Sequence, residues 1–180
     1  MRRLLHLTAL AATLATTACA AAMSVSSHVE RGLDFSRYRS FAWGPADALP
    51  TGDPRLDQNP FFKDQVQGAV EKQLALRGIP VTVGDADLLI HYHANITRRI
   101  DPNQADRAYG YCASADCAPM QVDYEAGTLV LDLIDAQTNR LIWRGWAQNS
   151  VEDLLHDPDR MAKAIQDGVT RMLQQLPPAR

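Results

Sequence analysis

Apolar positions recur along the chain with two periods, and the period selects the element. Leu88, Ile90, Tyr92, Ala94 and Ile96 alternate with Leu89, His91, His93 and Asn95. A strand over residues 88–97 therefore has one apolar face and one mostly polar face. That is the pattern of an antiparallel strand with a wet side. Leu129, Leu131 and Leu133 alternate in a second strand over 122–134, and Leu141, Trp143 and Gly145 in a third over 140–150. A connection at 135–139 makes these two a hairpin, with Leu133 opposite Leu141 and Leu131 opposite Trp143. A slip of one residue would send Trp143 to the wet face, so burial selects the register.

Two stretches carry the helical period instead. Phe62, Val66, Ala69, Val70 and Leu74 line one face of a first helix. Asn59 is its expected cap, Pro60 suits its first turn and Gly78 ends it. Met161, Ile165, Val169, Met172 and Leu176 line a second helix, opened by Asp157-Pro158 and stopped by Pro177-Pro178. Residues 38–43, rich in aromatics, read as a short strand. Residues 22–30 are either a first strand or a tether, and 44–58 read as a loop. Residues 98–121 have little periodicity, and loops this long are usually functional or disordered. The expected fold class is α+β: a single antiparallel sheet with two amphipathic helices packed on one face, a two-layer sandwich.

The start of the chain changes the picture. Arg2-Arg3, the apolar run from Leu4 to Ala15 and the small residues before Cys19 have the form of a secretory signal. The run is too short to span a bilayer. Thr17-Ala18-Cys19 fits lipoprotein processing, while Thr16 departs from the usual Leu. The expected organisation is a signal peptide at 1–18, a lipidated N-terminus and tether or first strand at 19–30, and one α+β domain at 31–180. The alternative is ordinary cleavage after Ala20 or Ala22, releasing a soluble periplasmic protein. Several acyl chains of the palmitate class on Cys19 would anchor firmly without a spanning helix. Ala20 after the Cys favours the outer membrane.

Charge and cysteine content agree with an envelope location. The net charge of the chain is −3, and losing Arg2 and Arg3 with the signal takes it to −5. A mildly acidic chain without a basic run argues against nucleic acid and against binding anionic lipid by charge alone. With Cys19 lipidated, Cys112 and Cys117 are an even pair in an oxidising space and are expected to form a disulfide. Their C-x₄-C spacing is not that of a redox motif.

Several stretches together resemble the bacterial envelope lipoprotein family catalogued as domain of unknown function 4136. They are the lipobox-like Cys19, then Leu33-Asp34-Phe35-Ser36-Arg37-Tyr38-Arg39-Ser40-Phe41-Ala42-Trp43, and Asn59-Pro60 and Gly78 around the first helix. Ala86-Asp87-Leu88-Leu89-Ile90-His91-Tyr92-His93 follows, then the run from Tyr124 to Asp135, and Leu141-Ile142-Trp143-Arg144-Gly145. The resemblance implies an envelope lipoprotein with an α+β domain and implies no activity. It says nothing about Cys112 and Cys117.

Candidate chemistry is sparse. His91 and His93, at i and i+2, share a sheet face on which two imidazoles can meet one ion. Asp132 is expected on the same polar face, which would complete two His and a carboxylate. The alternative is two solvated histidines on an exposed strand. No Ser elbow or phosphate loop is present. Trp143 is expected in the core. Trp146 faces out, where it can stack on a sugar or anchor a partner. Tyr109 and Tyr111 are further candidate contacts. The expected function is a membrane-anchored, non-enzymatic binding or structural module of the periplasm, with a protein or glycan partner and no cofactor. The alternative is a metal-dependent periplasmic hydrolase using His91 and His93.

Overall fold

The computed structural model describes residues 23–44, 52–100 and 123–178. Among the described residues there are five strands: β1 Ser24–Val29, β2 Phe41–Trp43, β3 Leu88–Ile100, β4 Asp123–Asp135 and β5 Arg140–Ser150. They form one sheet in the order β1-β5-β4-β3-β2. The helices are α1 Pro54–Asp57, α2 Phe62–Ala75 and α3 Pro158–Leu173, and a 3-10 turn covers Phe35–Arg37. The expected α+β class holds. The stretch 22–30, left open between strand and tether, contains β1, an edge strand paired along β5 from Ser24↔Gln148 to Val29↔Trp143.

Two expectations about the architecture need correction. The sheet is mixed, because β2 runs parallel to β3 with Phe41 beside Leu88 and Trp43 beside Ile90. α2 lies between them in the chain, and a strand reached through a crossover helix can return parallel. The stretch 44–58, expected as loop, contains α1. Asp53 caps it by accepting from Arg55 N at 2.8 Å, and Pro54 follows in its first turn. Arg55 also donates to Glu125 on β4 at 2.7 Å, which ties α1 to the sheet.

The start of α2 also differs from expectation. Asn59 does accept a backbone hydrogen bond, from Phe61 N at 3.0 Å. The helix itself begins at Phe62 with no side-chain cap, so Asn59-Pro60 make the preceding turn. Its end is as expected. Gly78 has φ +78°, Ile79 N donates to Leu74 O at 3.0 Å and Gly78 N donates to Ala75 O at 3.0 Å. This is the paired closure of a Schellman motif, which requires a left-handed residue that glycine supplies without strain. α3 starts where its signals place it: Asp157 accepts from Asp159 N and Arg160 N at 3.1 and 3.0 Å.

The hairpin register also differs from expectation. Leu133 lies opposite Trp143, and Leu131 opposite Gly145. The turn is one residue tighter than expected, because Asp135 pairs with Arg140. A bulge between Leu133 and Ile134 adds Ile142 as an extra residue on β5. The bulge reverses the face of the chain below it, so Leu141 is 45% exposed while Trp143 is 1% exposed. Trp143 is in the core as expected. Gly145 makes room for it: a β-carbon at 145 would overlap the indole ring.

Alternate strand residues join the apolar faces of α2 and α3 in one cluster that includes Phe41, Val70, Leu74, Ile90, Leu133, Trp143, Ile165 and Val169. α3 packs along α2 and across β5 and β1. Trp43 Nε1 donates to Glu71 Oε1 at 2.9 Å, fastening β2 to α2.

Two of the stretches that carried the family resemblance, 33–43 and 124–135, meet in space around a buried carboxylate. Asp135 accepts from Gln137 N and Thr138 N at 3.0 and 2.9 Å, from the Tyr38 hydroxyl at 2.9 Å and from Arg37. Burial alone would raise the Asp135 pKa. The bonds from Thr138 and Tyr38 and the charge of Arg37 outweigh burial and hold it at about 2. Burial and the bond to Asp135 push the Tyr38 hydroxyl up to about 12. Asp34 accepts from Ser36 N at 3.0 Å and so starts the 3-10 turn that presents Arg37 and Tyr38. Asp87 receives Arg39 N and Ser40 N at 2.8 and 3.2 Å. A buried charge is tolerated only when paired and hydrogen-bonded, which accounts for this set of residue types.

Candidate functional site

The sheet face away from the core carries the candidate residues. Strand pairing arranges them in rows across the sheet. One row is Ser24, Gln148, Thr128 and Asn95; the next is Ser26, Trp146, Val130 and His93; the next is His28, Arg144, Asp132 and His91. The alternation expected for β3 therefore holds, and the other strands extend the polar face on either side.

The candidate metal set of His91, His93 and Asp132 does not assemble. Asp132 is only 4% exposed. Arg144 grips it with both arms, Nε to Oδ1 and Nη2 to Oδ2, each at 2.6 Å. This planar, two-bond pairing is the strong form of a carboxylate contact, and it raises the Arg144 pKa. His93 Nε2 stands 3.9 Å from Asp132 Oδ2, at the edge of ion-pair range. The His91 ring lies against Gly44, where any β-carbon would overlap it. The two histidines and Asp132 are neighbours, but the carboxylate belongs to Arg144. Among the described residues, no group of three or more His, Cys, Asp or Glu side chains is placed to hold a metal ion. Arg144 was hidden by the expected register, which set Asp132 opposite Ile142; the turn and the bulge together move it two places to Arg144.

Trp146 is where the sequence places it, on the open face and 37% exposed. It borders a shallow depression with Ser24, Asn95, Thr97, Arg99 and Gln148. Gln148 Nε2 donates to Thr128 Oγ1 at 2.9 Å, which fixes one amide beside the indole. An aromatic plane flanked by amide, hydroxyl and guanidinium groups offers stacking together with hydrogen bonds. The expected signal peptide at 1–18, Cys19, Tyr109, Tyr111, Cys112 and Cys117 lie outside the described residues, as does nearly all of the 98–121 stretch. Residues 98–100 of that stretch belong to β3. No helix among the described residues is long and apolar enough to cross a membrane.

The comparisons with known proteins follow the same fold. The family model described as domain of unknown function DUF4136 matches residues 25–178. Among curated proteins, none matches the chain. A PDZ domain protein from Parabacteroides distasonis superposes with a TM-score of 0.54 at 18% identity, covering 86% of this chain and 36% of that one. This chain thus spans about a third of that protein's length. The PelC dodecamer from Paraburkholderia phytofirmans gives 0.50 at 10% identity, covering 88% of this chain and 100% of that one. A DUF4136 family protein from Bacteroides thetaiotaomicron gives 0.47 at 10% identity, with 83% and 95% covered. At these identities the first two likenesses speak to the fold alone. The family match, running from β1 to the end of the described chain, shows that this protein belongs to the family described as domain of unknown function DUF4136.

Proposed function

We propose that the protein is a lipid-anchored, non-enzymatic binding module on the periplasmic face of the cell envelope, tethered to the outer membrane through Cys19. Its α+β domain holds a sheet with helices on one side, leaving the other side for contact. The observation that carries this reading is the half-exposed Trp146 in the middle of a mostly polar face. Exposed aromatic residues ringed by polar groups are the usual anchors of binding surfaces. The Arg144–Asp132 pair beside it keeps β4 and β5 in register and uses the one carboxylate that a metal site on this face would need.

Metabolic labelling with an alkyne analogue of palmitate, joined to affinity recovery from solubilised envelopes, tests both halves. The expected result is label on the native protein and none on Cys19→Ala, with co-recovered material lost from a folded Trp146→Ala variant. Absence of label on the native protein would remove the anchor. Unchanged recovery with Trp146→Ala would remove the contact face.

A further inference from the structure

The depression beside Trp146 on the open sheet face has a volume of about 420 Å³, within the size range of small-molecule sites. Its cause is side-chain length. The short side chains of Ser24, Thr97 and Thr128 lie among the longer Trp146, Gln148 and Arg99 that also line it. Ser24, Gln148, Thr128 and Asn95 cross the sheet in one row, with Trp146 in the row on one side. Thr97 and Arg99 continue along β3 on the other side. Arg99 lies six residues beyond His93, which shares the row of Trp146. At about 3.3 Å per residue, the two backbone positions are roughly 20 Å apart along the strands. The depression is therefore elongated.

The chemistry of the lining points to a ligand class. Beside the indole there are two amides, three hydroxyls and one guanidinium, and no carboxylate among the described residues. Gln148 Nε2 donates to Thr128 Oγ1 at 2.9 Å, which leaves Gln148 Oε1 to accept and the Thr128 hydroxyl to donate. A pyranose ring has a flat face of C–H groups and a rim of hydroxyls. An indole plane suits the first, and amides and hydroxyls suit the second. An apolar anchor from a protein would need an apolar pocket instead. Arg99 is exposed and in no ion pair among the described residues. Asp132, the carboxylate of the neighbouring rows, is held by Arg144. One cation with no acid beside it favours one negative charge, and a guanidinium matches a carboxylate with two parallel bonds.

We propose that this depression binds an acidic oligosaccharide, with one sugar ring stacked on Trp146 and a carboxylate further along the glycan paired with Arg99. The inference rests on the binding-module reading and names the ligand class of that same face. The Asn95 and Gln148 amides meet hydroxyls in between. The separation of Trp146 from Arg99 selects a chain of sugars over a single ring.

Binding of the full-length protein, solubilised in detergent, to an array of carboxylate-bearing and neutral oligosaccharides tests it. The strongest binder and its carboxyl-reduced form are then titrated by calorimetry. The expected result is saturable binding that favours the acidic form. Arg99→Gln should weaken the acidic ligand by about tenfold and leave the reduced one unchanged. Trp146→Ala should weaken both by about tenfold or more. Trp146→Phe, which keeps a stacking plane, should retain most of the binding, and all three variants should keep the native melting temperature. No binding to any member of the array, binding that neither Arg99→Gln nor Trp146→Ala changes, or equal binding of the acidic and reduced forms would overturn the proposal. If the array fails while recovery from envelopes still depends on Trp146, the face contacts a protein: the acidic glycan is overturned and the binding module stands. If both fail, the contact face falls with it.

Discussion

The two ends of the core face are built from the same strands and the same helices, yet one is filled and the other is open. At the filled end, Ile90, Leu133 and Trp143 lie in one row, with Phe41 and Leu74 fully buried nearby. Trp143 spreads over Gly145, and Asp135 pins the hairpin turn to the 3-10 turn. At the open end, Ala94, Ala147 and Gly127 occupy the equivalent inward positions, and a narrow apolar crevice of about 70 Å³ remains between α3 and the sheet. Inward-facing position alone does not close a core. Volume does, and three of the inward strand positions at this end carry only Ala or Gly.

The largest expected effect lies at the filled end. Trp143→Ala should lose about 3–5 kcal/mol in urea unfolding, the range for truncating a buried aromatic residue. A loss below about 1 kcal/mol would mean that this end is no better packed than the other.

Asp135 is next. Asp135→Asn should cost about 2–3 kcal/mol at neutral pH, because it weakens hydrogen bonds made to a charged, buried group. The same carboxylate gives a pH signature. Its folded pKa, about 2, lies below its ordinary 3.8. The stability it supplies is therefore complete above that ordinary value and is lost as the pH falls from about 4 toward 2. Acid titration of the native protein should show this loss, and Asp135→Asn should flatten it. Equal acid sensitivity in both proteins would contradict the pairing.

The same substitution then probes each end. Gly145→Ala should destabilise by about 1–3 kcal/mol, because a methyl there meets the Trp143 ring and the surroundings cannot yield. Gly168→Ala should change stability by less than about 1 kcal/mol, since the helical preference of Ala offsets crowding against Ala147. If Gly168→Ala proved as damaging as Gly145→Ala, the contrast between the ends would be gone.

How much of this was legible in the sequence follows from what periodicity encodes. The period of two found β3 and its faces, and the helical period with Asp157-Pro158 found the start of α3 to the residue, though the helix ends at Leu173 rather than at Pro177. Periodicity cannot see a bulge, because the extra Ile142 is itself apolar and buried. The register above it was therefore misplaced, and the Arg144–Asp132 pair with it. Asp53-Pro54 was the same signal as Asp157-Pro158, but α1 is too short to show a period and was read as loop. The parallel placement of β2 depends on where α2 carries the chain, which no local pattern records. The crevice was hidden for a different reason. Ala94, Ala147 and Gly168 count as apolar core positions, and only their convergence in space leaves a void. Trp146 was legible because strand alternation fixes its side once Trp143 is known to face in.

The most direct test of the binding-module account is photocrosslinking in living cells, with a photoreactive amino acid at position 146 and, for comparison, at the fully exposed loop residue Val83. The account predicts a discrete crosslinked species from position 146, absent from position 83 and diminished when Cys19 is replaced by Ala. The same products from both positions, or none from 146, would contradict it.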